Sequence, residues 1–427
     1  MSTLSTRGRW RSSVRLLAAA GATALVATVL AGPADAAPGL GRAAGAYDQG
    51  AAGDPLQTVA QAYRTSYPDL APEAAQAAAA AQASAGEALK AELVERWDTF
   101  GGGWFDAYTA TYHLAVTRPA AGEALAAIGT ARGVAVDTPV VDRSLDELNA
   151  QVEDLQAGDG ALARAADGRV GIDVTTNQVV AAVPAGQVGS LTRQAPAGVT
   201  VIPAEQTAFE YDACTSRSNC DNFLAAGLVL RNGAGTPWCS LGFTARNAAG
   251  QRITLTAGHC STGIGETWSN GTATIRTVGN VSGRIFSGNQ DVSRIVSTNA
   301  FYGNVNSGRI YINTPPGWFP VTGESFLLVG DVACLSASFT NPARSGNPCG
   351  TVGSTSDPQR FNMVRIDGYD ACGGDSGGGW YWLPGSGNRW AVALHSNSES
   401  GCNNPTAARS WASPLNAFYP DLVYETG

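Results

Sequence analysis

Apolar residues recur at two different periods along this chain, and the change of period divides it. In the segment 144–156, SLDELNAQVEDLQ, apolar residues are spaced three or four apart, as on one face of a helix: Leu145, Leu148, Val152 and Leu155. Ser144 and Glu147 have the spacing of a capping box, which predicts that the helix begins there. The Ala-rich segment 76–99 predicts an earlier helix.

Each predicted helix is followed by aromatic and β-branched residues around a polar turn. These segments, 101–117 and 168–183, are typical of β-hairpins. When the two hairpins are aligned, their turns carry matching residues: Asp106 with Asp173, and Thr109 with Thr176. We therefore expect two helix-plus-hairpin units of α+β type, at about 76–130 and 140–205.

The helical period disappears after residue 211, and Gly, Ser, Thr and Asn dominate. Short β-rich runs recur between Gly-rich turns, at 239–245, 252–258, 272–278, 308–313, 325–330 and 389–396. Many short strands with such turns predict an antiparallel barrel or sandwich for 211–427.

The first residues have the pattern of an export signal. Basic residues precede an apolar run at 16–30, and Ala34-Asp35-Ala36 follows. A basic, apolar and small-residue order indicates a secretory signal peptide, here 1–36, and the run is short for a spanning helix. We therefore expect a secreted, extracellular protein that leaves the membrane after the signal is removed.

Length, charge and cysteine content limit the class of protein further. The 427 residues exceed one ordinary domain, and a net charge of −8 argues against a nucleic-acid partner. All eight cysteines lie between Cys214 and Cys402, which indicates disulfides in an exported chain. No H-E-x-x-H motif occurs, so we expect no metal and no cofactor.

The segment 373–378, GGDSGG, is a candidate for nucleophilic chemistry by Ser376. A serine hydroxyl needs a base, a group that orients the base, and donors for an oxyanion. Glycines allow consecutive N–H groups to face one cavity, so the N–H groups of Gly374 and Ser376 are candidate oxyanion donors. The chain has three histidines that could act as the base: His113, His259 and His395.

The segment 374–378 also matches G-x-S-x-G, the nucleophile elbow of α/β-hydrolases. That fold needs a helix after the serine, followed by an acid and then a histidine. Here the Gly- and Trp-rich segment 377–387 follows, and His395 precedes Asp421. The sequence therefore disfavours this alternative.

Three motifs carry a resemblance to a known family: CSLGF at 239–243, TAGHC at 256–260 and GDSGG at 374–378. In this order they resemble the secreted chymotrypsin-fold serine endopeptidases, in the branch of alpha-lytic protease and the streptogrisins. The resemblance covers about 225–420 and implies two six-stranded antiparallel β-barrels with the site between them. The upstream region 37–210 resembles the pro-region of that branch, which assists folding and then inhibits.

The resemblance implies a role for each motif residue. His259 would be the general base and Ser376 the nucleophile. Asp291, in NQDVSRIVS, would orient the imidazole, since the family places such an acid between the other two. Asp375 would be a structural brace, and bacterial members of the branch pair this carboxylate with an internal Arg.

The resemblance also implies disulfide pairs. They are Cys239–Cys260, Cys334–Cys349 and Cys372–Cys402, and the remaining Cys214 and Cys220 would close a short loop without a counterpart in the family.

Two signals about the specificity pocket conflict. Asp370 lies where trypsin-type enzymes carry the aspartate that binds Arg or Lys of the substrate. In contrast, HSNS at 395–398 resembles glutamyl endopeptidases, in which His395 and Ser398 would receive a substrate carboxylate, with Ser396 beside them. Asp370 and His395 could also pair and leave a neutral pocket. The weak preference is for cleavage after Arg or Lys.

The sequence thus predicts a secreted, monomeric serine endopeptidase that acts on protein or peptide substrates. It would be made as a precursor whose pro-region is its own intramolecular chaperone and inhibitor. The alternative is a protease-like binding protein without activity, which the presence of His259, Asp291 and Ser376 together disfavours.

Overall fold

The structure is a computed structural model of the chain. It describes residues 54–204, 223–232, 238–270, 276–299, 302, 306–312, 318–339, 347–369, 371–399, 408–415 and 422–426. The predicted signal peptide 1–36 and four predicted residues lie outside these ranges: Cys214, Cys220, Asp370 and Cys402. Within the ranges, no helix has both the length and the apolar character needed to cross a bilayer.

The N-terminal region, residues 54–204, contains two units that each add a third strand to a hairpin. In both units the third strand pairs in parallel with the second hairpin strand. The helices are α1 (Pro55–Ser66), α2 (Pro72–Glu95), α3 (Pro119–Arg132), α4 (Leu145–Ala157), α5 (Ala161–Ala166) and α6 (Val188–Thr192). The strands are β1 (Phe100–Asp106), β2 (Thr111–Val116), β3 (Ala135–Asp137), β4 (Val170–Asp173), β5 (Gln178–Val183) and β6 (Val199–Pro203).

Local sequence signals account for much of this region. Helix α4 begins at the expected capping box, because the Ser144 hydroxyl accepts from the Glu147 N–H at 3.2 Å and a Glu147 oxygen accepts from the Ser144 N–H at 2.8 Å. The two hairpin turns repeat one contact: Thr109 to Asp106 at 2.6 Å, and Thr176 to Asp173 at 2.9 Å. Both turns therefore use an Asp side chain to fix the loop.

The C-terminal region, residues 223–426, is built almost entirely from strands. They are β7 (Phe223–Ala226), β8 (Val229–Asn232), β9 (Trp238–Ser240), β10 (Thr244–Arg246), β11 (Arg252–Thr256), β12 (Thr267–Asn270), β13 (Arg276–Ser287), β14 (Gln290–Ser297), β15 (Asn306–Tyr311), β16 (Trp318–Pro320), β17 (Gly323–Glu324), β18 (Val332–Ser336), β19 (Cys349–Asp357), β20 (Met363–Asp367), β21 (Gly379–Trp382), β22 (Trp390–Ser398), β23 (Arg409–Pro414) and β24 (Val423–Tyr424).

Two sheets dominate this region. One is a closed barrel of six strands in the order β22-β21-β18-β19-β20-β23, since β23 also pairs with β22. The other has the order β24-β10-β11-β14-β13-β12-β8-β9. The predicted class, a β-rich C-terminal region after an α+β region, is confirmed. Of the two expected six-stranded antiparallel barrels, one is closed, and the second sheet forms a half-barrel within the described residues.

The strand predicted at 325–330 does not form. Asp331 accepts a hydrogen bond from the Leu328 N–H at 2.7 Å, and Gly330 adopts a φ of +88°. These features bend the chain into a turn, although Leu327 and Leu328 are buried. The apolar run therefore reflects burial in the core rather than a strand.

The two regions pack as one compact unit. A single apolar cluster contains Tyr63, Leu89 and Phe105 of the N-terminal region together with Val332 and Tyr381 of the closed barrel. The N–H of Phe105 also donates to the Val329 carbonyl at 2.6 Å. Strand β1 is thus joined to the turn that precedes strand β18 of the barrel.

Candidate active site

His259 lies in a 3-10 turn, Gly258–Cys260, directly after strand β11. Position 258 requires glycine, since a Cβ there would collide with the backbone carbonyl of Ile285. The Gly258 carbonyl accepts from Arg284 Nε at 2.7 Å, and Cys260 is disulfide-bonded to Cys239. The turn is therefore fixed on both sides of the imidazole.

Asp291 lies near the start of strand β14 and is fully buried. One carboxylate oxygen accepts from the backbone N–H of His259 at 2.8 Å, and the other is 2.6 Å from His259 Nδ1. The Asp291 N–H donates to the Ser413 hydroxyl at 2.9 Å. Both the carboxylate and the strand that carries it are held in place.

Ser376 lies in the turn between strands β20 and β21, where Gly374 and Gly377 have φ of +98° and +81°. Its Oγ is 2.9 Å from His259 Nε2. The Ser376 carbonyl accepts from the Ser240 N–H at 2.7 Å. Positive φ at these two positions favours glycine, which accounts for two of the three glycines in GDSGG.

The three side chains form one directed chain of hydrogen bonds. An ionised carboxylate only accepts, so Nδ1 of His259 carries the proton and Nε2 can accept from the Ser376 hydroxyl. Burial alone would raise the pKa of Asp291, but the electrostatic attraction of His259 and hydrogen bonds from His259 and Ser396 lower it below its usual value. Asp291 is therefore ionised at neutral pH.

Ser396, which is expected among the substrate-binding residues, contacts Asp291. Its hydroxyl donates to Asp291 Oδ2 at 2.5 Å and it is buried, while its place in the substrate pocket stays a prediction. We therefore assign Ser396 to orientation of the carboxylate.

Hydrogen bonds to Asp375 and to the Gly374 carbonyl hold the loop that carries Ser376. Asp375 accepts from the N–H groups of Cys372 at 2.8 Å and Phe339 at 3.1 Å, consistent with the structural role expected for it. The Gly374 carbonyl accepts from the hydroxyls of Ser240 at 2.7 Å and Ser338 at 3.1 Å. Neither serine could be assigned this contact from the sequence, because the two are 98 residues apart and no local motif joins them.

The predicted disulfides Cys239–Cys260 and Cys334–Cys349 are present. Cys372 is also disulfide-bonded, while its expected partner Cys402 lies outside the described residues.

The predicted specificity residues are only partly described. His395 is fully buried, with its ring centroid 6.2 Å from that of Trp380, and Ser398 is buried further along strand β22. Asp370 lies outside the described residues. The contact between Asp370 and His395 therefore stays a prediction.

Comparisons with known proteins point to one class. No protein-family model matches the chain. It is similar to Serine protease 2 of Streptomyces fradiae, with 36% identity over 107 residues, and it spans 58% of that relative and 25% of its own length. This similarity confirms the resemblance of the motifs to the bacterial serine proteases.

Solved structures with a similar chain were also found. One is the Nocardiopsis protease NAPase, at 25% identity and a TM-score of 0.37, covering 47% of this chain and 98% of that one. Another is a glutamic-acid-specific serine protease that uses a histidine triad in substrate binding, at 25% identity and a TM-score of 0.38, covering 47% of this chain and 100% of that one.

Replacing Ser396 by Ala should raise the pKa of Asp291, since it removes a donor to the charged carboxylate. A depressed carboxyl pKa contributes stability above the unfolded-state pKa, and that stability is lost as pH falls through the folded-state pKa. The loss in Ser396→Ala should therefore begin at higher pH. Titration of the Asp291 carboxyl by 13C NMR measures this shift.

Ser410→Ala is the matched control, because Ser410 is buried and donates to the Tyr369 carbonyl at 3.0 Å. An Asp291 titration that is the same in Ser396→Ala, Ser410→Ala and the parent protein would contradict the assignment.

Proposed function

We propose that this chain is a secreted serine endopeptidase in which His259, Asp291 and Ser376 form the catalytic triad. The observation that carries the proposal is the continuous chain of hydrogen bonds from Asp291 through His259 to Ser376, at 2.6 and 2.9 Å. The order of the three residues in the chain and the similarity to Serine protease 2 support it.

The geometry supports acyl transfer. Ser376 Oγ attacks the scissile carbonyl as His259 Nε2 takes its proton, and the imidazolium that forms is stabilised by Asp291. His259 then gives the proton to the leaving amine. Water next attacks the acyl-enzyme as His259 takes one of its protons, and His259 returns that proton to Ser376 Oγ as the carboxylic acid product leaves. The N–H groups of Gly374 and Ser376 are the proposed oxyanion donors, because the loop that holds them is braced through Asp375 and the Gly374 carbonyl.

The alternative is a binding protein of the same fold without catalysis. The hydrogen bond between His259 Nε2 and Ser376 Oγ disfavours it, since a protein without activity gains nothing from a base aligned on a hydroxyl.

We further propose that 37–210 is a pro-region that assists folding and then inhibits, and that 211–427 is the protease domain after removal of a signal peptide at 1–36. The support is the interface between the two regions. Lys90 of helix α2 forms a buried ion pair with Asp331 at 2.6 Å, and Gln82 donates to the same carboxylate at 3.1 Å.

Lys90 and Asp331 are a buried pair of opposite charges. Burial raises the pKa of Asp331 and lowers the pKa of Lys90, while their mutual attraction opposes both shifts. The Lys90 ammonium also lies 3.5 Å from the ring centroid of Trp382. A carboxylate buried in this way needs its partner, because a lone buried charge is strongly destabilising.

For specificity we retain the weak preference for Arg or Lys at the residue before the cut, through Asp370. Cleavage after Glu, through His395 and Ser398, or after neutral residues is the alternative. The burial of His395 is compatible with a place in the pocket wall.

Substitution of the proposed triad should abolish hydrolysis of a protein substrate such as casein. We expect kcat to fall about 10⁴-fold in Asp291→Asn, because the wrong imidazole tautomer is favoured, and about 10⁶-fold in Ser376→Ala and His259→Ala. His113→Ala is the matched control, since His113 lies in the N-terminal region on strand β2. Comparable activity in Ser376→Ala and the parent protein would contradict the triad.

Digestion of a random peptide library should show Arg or Lys enriched at the residue before each cut. Asp370→Asn should then lower this enrichment, because it removes the carboxylate that would pair with the basic side chain. His395→Ala is the complementary variant. If Glu is enriched before the cuts instead, and His395→Ala removes that enrichment, the pocket binds a carboxylate. This result would contradict the Asp370 assignment.

The segment 211–427 should refold poorly alone, since β-rich folds with distant contacts fold slowly, and 37–210 added in trans should restore activity. The segment 37–210 with Lys90→Met should restore less activity. It leaves the buried Asp331 without its cation, at a cost of about 3–5 kcal/mol.

Arg96→Met is the control at the residue that caps the C-terminus of helix α2, because the Arg96 side chain is 42% exposed and pairs with Glu92. The yield of active enzyme measures the rescue. Equal yields with and without the segment would contradict the chaperone role, and equal rescue by the Lys90→Met and Arg96→Met segments would contradict the role of the ion pair.

A further inference from the structure

The hydrogen bonds at Asp291 continue beyond the proposed triad into the barrel. Ser396 Oγ, which donates to Asp291, also accepts from Asn397 Nδ2 at 2.9 Å. The other end of that amide, Asn397 Oδ1, accepts from Arg360 Nε at 2.9 Å. Arg360, Asn397 and Ser396 are 7%, 1% and 1% exposed, so water is excluded along most of this path.

The chemistry of each group fixes the direction of this path. A guanidinium can only donate, so the oxygen of the Asn397 amide must face Arg360. The NH₂ end of the amide must then face Ser396. Because Ser396 Oγ accepts there, its own proton is left to point at the carboxylate of Asp291. A cation that cannot accept thus orients an amide, and the amide orients a hydroxyl.

The path ends on the carboxylate oxygen that also holds His259. Asp291 Oδ2 is the acceptor for both Ser396 Oγ at 2.5 Å and His259 Nδ1 at 2.6 Å. Hydrogen bonds in a low-dielectric interior are stronger than in water, and linked bonds polarise one another. The orientation of Ser396 therefore bears directly on how Asp291 holds the imidazole.

Arg360 belongs to a 3-10 turn, Pro358–Arg360, between strands β19 and β20. Asp357 caps the turn by accepting from the Gln359 N–H at 2.9 Å, and its other oxygen accepts from Trp411 Nε1 at 3.0 Å. The N-terminal region lies against the same turn, because Gln359 Nε2 donates to the Pro203 carbonyl at 3.3 Å. The path therefore starts at the interface between the two regions.

We propose that Arg360 and Asn397 are positioning residues for the reaction, which act on Asp291 through Ser396 and fix the direction of its hydrogen bonds. The expected change in kcat rests on the proposed function. The expected change at the proton that His259 Nδ1 donates to Asp291 does not depend on activity.

Two variants test the direction of the path. Asn397→Asp places a carboxylate that accepts from Arg360 and Ser396 alike, so the Ser396 proton turns away from Asp291. Arg360→Gln puts an amide where the guanidinium stood, and an amide can accept as well as donate, so the orientation of Asn397 is no longer dictated. Arg360→Lys keeps a group that only donates. Arg389→Gln is the matched control, because Arg389 directly precedes barrel strand β22 and its guanidinium lies over the ring of Phe319 and donates to the Gly387 carbonyl.

The full-length chain is expressed for each variant, and kcat and KM of the processed protein are measured on a peptide substrate. The 1H NMR resonance of the proton on His259 Nδ1 is recorded alongside. Loss of one hydrogen bond to a charged group should lower kcat about 10- to 100-fold in Asn397→Asp with little change in KM, and move that resonance. Arg360→Gln should show a smaller loss of kcat, and Arg360→Lys should retain more activity than Arg360→Gln.

The inference is overturned if Asn397→Asp folds and has the same kcat and the same His259 Nδ1 proton resonance as the control Arg389→Gln. If Asn397→Asp does not fold, equal kcat and an unmoved resonance in Arg360→Gln and Arg360→Lys overturn it. A parent protein without any hydrolysis counts against the proposed function, and the resonance alone then decides the inference.

Discussion

The double contact between Asp291 and His259 is the constraint on which the rest of the site depends. One carboxylate oxygen holds the backbone N–H of His259 and the other holds its ring, so the turn and the imidazole are fixed by one side chain. The contact exists because strands β11 and β14 pair in antiparallel register, with Thr256 opposite Ser293. Gly258 then lets the turn pass close to strand β13. A shift of this register would separate the base from its carboxylate.

The features that could be predicted from the sequence are those set by residues close together in the chain. The turns around His259 and Ser376 are specified by neighbouring residues, so TAGHC and GDSGG could be recognised from short motifs. The start of helix α4 was predictable for the same reason, since a capping box spans four residues. Asp291 has a weaker local signal, so its identification rests on its order in the chain, its spacing from His259 and the segment DVSRIV that it begins.

Contacts between distant residues could not be predicted in this way. The hydroxyl of Ser396 reaches Asp291 across 105 residues, and Lys90 reaches Asp331 across 241. The run 325–330 has the composition of a strand, but Asp331 and Gly330 turn the chain there. In each case, tertiary packing decided what local propensity left open. The third strand of each N-terminal unit was missed because a parallel pairing across a helix leaves no turn signal.

The N-terminal region is part of the same packed structure as the barrel. Their shared apolar cluster and the buried pair of Lys90 and Asp331 mean that the barrel surface at Asp331 is complementary to helix α2. A buried ion pair adds little net stability over apolar residues of the same size, but it strongly disfavours a partner that lacks the matching charge. The interface is therefore specific, as the proposed role of the N-terminal region requires.

The central claim is that His259 makes Ser376 a nucleophile, and covalent modification tests it most directly. A fluorophosphonate reacts with a serine hydroxyl only when a base activates it. Intact mass followed by peptide mapping should find one adduct per molecule of processed protein, on the peptide that contains Ser376, and none in His259→Ala. No adduct on the processed protein, or adducts spread over several serines regardless of His259, would contradict the account.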